Sequence, residues 1–396
     1  MNDATITNQT RPAGTDALPD RDSATPAWRI GVAGVAIIGV TFGFARYGYG
    51  LFAPRLRAEF GLSMGVVGLI GSATYVGYVL ALVTVAAWSR RLGPRAMVVA
   101  GGVASTVGLT TVALAHDTVV LVAGLVLAGT SSGWAWAPLS DAVDRMVAPS
   151  GRERVMGLIP SGTAFGVVAV GLAALAWADD QWRWAWVCFA AVSAVVTAFN
   201  ALVLVGHGRA ERGSLPRPAR FLRRAAVPLH LTAVSYGLVG AVYWTFAASA
   251  VSAGGVVAVF WTVMGAAGTL GVAAGVVIGR LGLRVTHAYV FASLGLAVAL
   301  LAIAPGSTVA VMASAILYGP AFMAGSSVLA VWSYQRFPDH PAGGFSVTLL
   351  AVGVGTIAGP ALLGAVAERG GLAGVFAVTA AIAAATLLVA PRRAGH

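Results

Sequence analysis

Lysine is absent from this chain: all 25 basic residues are Arg. Cysteine is nearly absent, and the lone Cys188 can form neither an internal disulfide nor a multi-thiolate metal site. Charge of either sign is scarce, at 10% of 396 residues, where soluble domains carry roughly 25%. A water-facing surface cannot be built from that supply. No Asp or Glu falls in the middle of a long apolar run. The six His are scattered, and no HExxH, CxxC, serine elbow or phosphate loop occurs. No metal, no cofactor and no enzymatic activity is therefore expected. A filter-like channel loop is also missing.

Apolar residues are abundant instead: 58% of the chain is hydrophobic and mean hydropathy is +0.84. A bilayer-crossing helix needs ~20 apolar residues at 1.5 Å each. Runs of that length predict an all-α integral membrane protein with twelve transmembrane helices. They fall near 30–52, 64–88, 96–116, 118–140, 154–178, 184–206, 227–249, 254–279, 285–304, 308–335, 343–366 and 371–390. Only His116–Asp117 and Pro305–Gly306 divide the third helix from the fourth and the ninth from the tenth. Residues 1–27 lack the basic start and apolar stretch of a signal peptide and are expected to be a disordered cytoplasmic tail. A six-helix bundle over 28–206, a basic cytoplasmic linker over 207–226, a second bundle over 227–390 and a cytoplasmic tail over 391–396 complete the expected layout.

Arginine placement supports this layout, because cytoplasmic loops carry the basic excess. One set of alternate segments holds Arg90, Arg91, Arg95, Arg145, Arg152, Arg154, six Arg between 209 and 224, Arg280, Arg284, Arg336, Arg392 and Arg393. The opposite loops hold Arg55, Arg57, Arg183 and Arg369. The chain is thus expected in the cell membrane with both termini on the cytoplasmic side. The net charge of +11 then reads as topology signals and headgroup contacts with membrane lipids, not as a nucleic-acid surface. Trp182, Trp184 and Trp186 fall at the outer end of the sixth helix, where interfacial aromatics are expected.

The chain also repeats itself. Arg91-Leu92-Gly93-Pro94-Arg95 follows the second helix and Arg280-Leu281-Gly282-Leu283-Arg284 the eighth, an offset of 189 residues. Gly162-Thr163-x2-Gly166-x4-Gly171 returns as Gly355-Thr356-x2-Gly359-x4-Gly364, offset by 193, and Gly43 with Tyr49 returns as Gly237 with Tyr243, offset by 194. Six helices is an even number, so both units share one orientation, as in two bundles enclosing a central path.

These loops resemble the signature loops of the major facilitator superfamily, G-x-x-x-D-R-x-G-R-[RK]. Arg91, Gly93 and Arg95 stand in one copy and Gly275, Arg280, Gly282 and Arg284 in the other, with Arg90 and Gly279 where an acid is usual. Gly355-x3-Gly359-Pro360-x3-Gly364 resembles the superfamily's Gly-Pro motif, and Gly43-Phe44-Ala45-Arg46-Tyr47-Gly48-Tyr49-x4-Pro54 is similar to the start of YbfB/YjiJ-type carriers. The resemblance implies two pseudo-symmetric six-helix bundles and alternating access around a central cavity, with no particular substrate. The missing acids put in doubt any latch between the halves through that position.

Arg46 is the only charge well inside an expected span, eight residues before Pro54 and so roughly 12 Å from the outer end. At 100° per residue, Gly39, Phe42, Gly43, Arg46, Tyr49 and Gly50 share one face. Such a face suits a water-filled path where a guanidinium would fork an oxyanion. Alternatively Arg46 snorkels outward or ties helix one to neighbouring carbonyls. Further candidates for substrate contact are Trp136, Tyr236, Tyr243 and Tyr318, the last beside an expected Gly319-Pro320 helix break. The stripe Gly271-x3-Gly275-x3-Gly279 is expected to pack against another helix, and Asp141 to pair with Arg145 at i+4. The function expected is a monomeric secondary carrier of a small solute, an organic anion being the class Arg46 would favour. An exporter of hydrophobic or amphiphilic compounds, or a membrane sensor that does not transport, stays open.

Overall fold

The computed structural model describes residues 26–177, 181–204, 221, 223–251 and 256–391. The expected tails and most of the linker lie outside them. Among the described residues every regular element is helical, and eleven helices are long and apolar enough to cross a membrane. They are α1 (Ala27–Phe60), α2 (Met64–Trp88), α3 (Arg91–Ala113), α4 (Thr118–Met146), α5 (Pro149–Ala176), α6 (Trp182–Val203), α7 (Arg224–Ala250), α8 (Val256–Leu281), α9 (Leu283–Ile303), α10 (Thr308–Arg336) and α11 (Gly343–Thr386). The two thin divisions hold. Asp117 caps α4 by accepting from the Val119 and Val120 amides at 2.9 Å, and Ser307 caps α10. The last helix, α11, runs 44 residues and contains both of the final expected spans. Within it Gly371 leaves the helical region at φ 69°, ψ 174°.

Gly93 (φ 77°, ψ 165°) and Gly282 (φ 80°, ψ 159°) turn the chain in the same way in the two RLGxR loops. This backbone region is open to glycine alone, so the sequence repeat is also a repeat of conformation. Helix packing repeats with it. A Cβ on Gly43 of α1 would lie 2.6 Å from the Gly166 carbonyl carbon of α5, and one on Gly355 of α11 would lie 2.8 Å from the Leu238 amide of α7. Lipid offers no hydrophobic drive between helices, so close backbone approach supplies the attraction through dispersion.

Three expectations are corrected. Gly271 packs against Met323, but Gly275 and Gly279 have nothing within 4 Å of a built Cβ. A 3-10 stretch at Thr269–Ala273 interrupts α8 and rotates the later glycines off that face. At Gly319-Pro320 there is no break, since α10 is helical throughout with Gly319 pressed against Gly268 of α8. Of the three Trp on α6, only Trp184 faces outward. Trp182 and Trp186 are buried, and the Trp182 indole donates to Glu59.

Candidate substrate site

The site begins with an irregularity in α1. Regular α-helix at Ala27–Ile38 gives way to a π-helical segment, Gly39–Tyr47, before α-helix resumes at Gly48–Phe60. Two local features favour this. The Thr41 hydroxyl donates to the Ile37 carbonyl at 2.7 Å, competing with the backbone ladder. Gly39 and Gly43 let the α5 backbone come close.

Because π-helix bonds i→i+5, the face drawn at 100° per residue is split, which corrects that expectation. Gly39 and Gly43 turn to α5, and Tyr49 turns to α2, donating to the Val67 carbonyl at 2.9 Å. Gly50 turns to Trp244 of α7 and Trp261 of α8. Phe42 and Arg46 stay together.

Arg46 sits among rings. Its Cζ is 4.1 Å from the Tyr78 centroid, 4.7 Å from Tyr75, 5.4 Å from Phe42 and 5.8 Å from Tyr47. Contacts of this kind are worth ~0.5–2 kcal/mol each and help offset the cost of a charge at membrane depth. Its Nε has no hydrogen-bond partner, and among the described residues no carboxylate pairs with it. The ion pairs Arg145–Asp141 (2.8 Å, as expected at i+4) and Arg183–Glu59 (2.5 Å) lie at helix ends. Arg46 as a whole is half-buried, with its Nε enclosed by protein.

Aromatic groups from other helices surround this cluster. Trp136 of α4 meets Phe42 edge-on at 6.3 Å, and Trp244 of α7 stacks on Tyr47 at 4.2 Å. Phe322 of α10 lies edge-on to Tyr47 at 6.1 Å and stacks on Tyr236 at 5.2 Å. Phe42, Trp136 and Phe322 are half-buried; the others are buried. Tyr236 donates to the Phe322 carbonyl at 2.6 Å.

Of the candidates from sequence, Arg46, Trp136 and Tyr236 thus come together. Tyr49, Tyr243 and Tyr318 sit in the packing between helices. Tyr243 stacks on Tyr318 at 3.6 Å with its hydroxyl 2.7 Å from Ser314, and Tyr318 donates to the Gly240 carbonyl at 3.2 Å. Tyr75, Tyr78, Trp244 and Phe322 were not among the candidates. Tyr75-x-x-Tyr78, an i,i+3 pair on α2, was the visible signal. Among the described residues no group of three or more His, Cys, Asp or Glu could hold a metal.

The loop arginines Arg91, Arg95, Arg280 and Arg284 are exposed. The Gly-Pro motif lies where α11 meets the first six helices. Pro360 rests on Gly68 and Gly71 of α2, while Gly359 packs on Leu238 of α7. Nearby, Glu368 accepts from the Ser63 hydroxyl at 2.5 Å and the Gly65 amide at 3.0 Å. Together with Gly50 on Trp244, and Gly171 of α5 on Thr262 of α8, these contacts join the first six helices to the last five at the end bearing Arg55, Arg57, Arg183 and Arg369.

Comparison with known proteins follows the same lines. Residues 38–392 match the model of a family described as "Uncharacterised MFS-type transporter YbfB". No curated protein matches. The chain is similar in fold to the crystal structure of nucleoside transporter NupG, with a TM-score of 0.71 at 14% identity over 92% of this chain and 98% of that one. It is also similar to a bacterial homolog of the human lysosomal transporter Spinster in an inward-facing, unoccupied conformation, with a TM-score of 0.68 at 18% identity, covering 92% and 94% of the two chains.

Proposed function

The chain belongs to the YbfB-type family of major facilitator transporters, and from that premise we propose a secondary carrier that binds an organic anion at Arg46 and moves it across the cell membrane by alternating access. On this reading Gly371 divides α11 into two crossings, giving twelve spans in bundles over 28–206 and 227–390, with the linker 207–226 and both tails in the cytoplasm. One chain holds both bundles, so a monomer suffices. The end joined by Gly50, Glu368 and Gly171 is then the outer end, and the space at Arg46 opens to the cytoplasm.

One observation carries the substrate reading. Arg46, a half-buried residue at membrane depth, keeps a buried, unpartnered Nε and no carboxylate neighbour among the described residues. A buried charge of this kind is retained where a ligand pairs with it. The aromatic walls favour the second reading, an exporter of hydrophobic or amphiphilic compounds, although a fixed positive charge disfavours cations. Counterflow in proteoliposomes decides between a carrier and a sensor, because only a carrier shows saturable trans-stimulation. Arg46→Ala is expected to lose affinity for anions by about tenfold or more, as for a lost charge-assisted pair. Wild-type rate and affinity in that variant would rule the anion out.

A further inference from the structure

We infer that the Arg46 site takes a monocarboxylate with a flat apolar body, an arylcarboxylate, in preference to a dicarboxylate, a phosphate ester or an amino acid. The inference rests on the anion reading above and deepens it.

The charge inventory comes first. Among the described residues Arg46 is the only charged side chain well inside a membrane span, and no acid stands at its depth. A second carboxylate or a phosphate dianion would therefore be buried without a matching cation, and an ammonium group without a matching anion. Unpaired buried charges are strongly disfavoured. His287 offers no second cation, since it is wholly buried between Phe291 and Trp332 with both ring nitrogens unpartnered. A single negative charge is what the site can neutralise.

The geometry around the guanidinium selects the form of that charge. Four rings lie within 5.8 Å of its Cζ and its Nε is buried among them, so the edge left to a ligand is the terminal pair of Nη groups. The fork of N–H groups at that edge matches the two coplanar oxygens of a carboxylate.

The body of the ligand is selected by what lines the remaining space. Phe42, Trp136 and Phe322 are the half-buried rings, placed to stack on or edge against another ring at the 4.5–7 Å spacing that aromatic pairs prefer.

Purified full-length protein, loaded with benzoate as the probe, tests this by thermal stabilisation and by counterflow of labelled benzoate in proteoliposomes. Propionate, succinate, phenylalanine, phenyl phosphate and benzamide are the competitors. Benzoate is expected to bind at least about tenfold more tightly than each of them. Phe322→Ala and Trp136→Ala are expected to weaken benzoate by about fivefold or more and propionate by a smaller factor, because only benzoate offers a ring to stack. Arg46→Lys is expected to recover part of the affinity lost in Arg46→Ala, because it keeps the charge without the fork. Propionate or succinate binding as tightly as benzoate, but still lost in Arg46→Ala, would overturn the arylcarboxylate and leave the anion standing. Benzamide equal to benzoate, or benzoate binding that survives Arg46→Ala, would overturn both. Failure of benzoate to bind would overturn the arylcarboxylate, and a purified wild-type protein that melts cooperatively makes that result binding.

Discussion

Gly50 is the residue whose replacement most directly tests how the end proposed as the outer one is held shut. A methyl group built there would lie 2.9 Å from the Trp244 carbonyl carbon and 3.1 Å from Trp261 Cη2, with the Trp244 carbonyl oxygen closer still. Ordinary contacts sit at about 3.5–4.0 Å and the oxygen is nearer than either carbon, so α1 must withdraw from α7 by more than about 1 Å. The nearest atoms are backbone and cannot swing away. The same withdrawal pulls Tyr47 off Trp244, now stacked at 4.2 Å. Overpacking of this kind costs about 1–3 kcal/mol. If the end opens in the other state of the transport cycle, Gly50→Ala penalises only the closed state. The equilibrium should then shift toward the open form by about 5- to 150-fold. The lone Cys188 simplifies the assay. In a Cys188→Ser background, Thr245→Cys places a thiol where Thr245 is 3% exposed, against Gly71 of α2. Its labelling by a membrane-impermeant maleimide added from outside should speed up by the same factor when Gly50→Ala is introduced. Gly157→Ala is the control, because a methyl there meets nothing within 4 Å. An unchanged labelling rate in a folded Gly50→Ala protein would refute the idea that this contact holds the end closed.

Two further substitutions test neighbouring parts of the same argument. Glu368→Gln keeps the shape of the acceptor for Ser63 and Gly65 but removes its charge, so outside labelling of Thr245→Cys should rise by less than in Gly50→Ala. No rise at all would make Glu368 a bystander. Tyr243→Phe removes the hydroxyl beside Ser314, which itself donates to the Ala297 carbonyl. A loss of about 1 kcal/mol of stability should lower the melting temperature without changing ligand affinity. An affinity change at constant melting temperature would place Tyr243 in the site.

Composition and periodicity carried the fold far. Ten of the apolar runs each fall on one described helix, with ends off by as much as eight residues (30–52 against Ala27–Phe60), because in lipid a continuous apolar run satisfies its backbone as a helix. The last division was legible too: the cut placed between 366 and 371 falls where Glu368-Arg369 interrupt the apolar run, and the backbone leaves the helical region at Gly371. The α8 stripe was not legible, since a glycine row marks a packing face only while the helix keeps its period, and α8 changes to 3-10 geometry at Thr269.

The site shows where such reasoning stops and why. Arg46 stood out because charge is so rare here that one guanidinium at membrane depth needs a cause. Its surroundings could not be drawn from a regular helix, because the residues that make the place useful are those that break the period. With α-geometry throughout, Arg46 would share a face with Gly43, Tyr49 and Gly50, all of which are committed to helix contacts. The π segment separates those duties. Gly39 and Gly43 hold α5, Gly50 meets α7, and Arg46 is left beside Tyr75 and Tyr78 with an unpartnered nitrogen. A π segment is stable only where its surroundings compensate for poorer bonding, and such segments gather at functional sites. That pairing of an irregular backbone with an unsatisfied charge, rather than either feature alone, makes this the place where a ligand has something to complete.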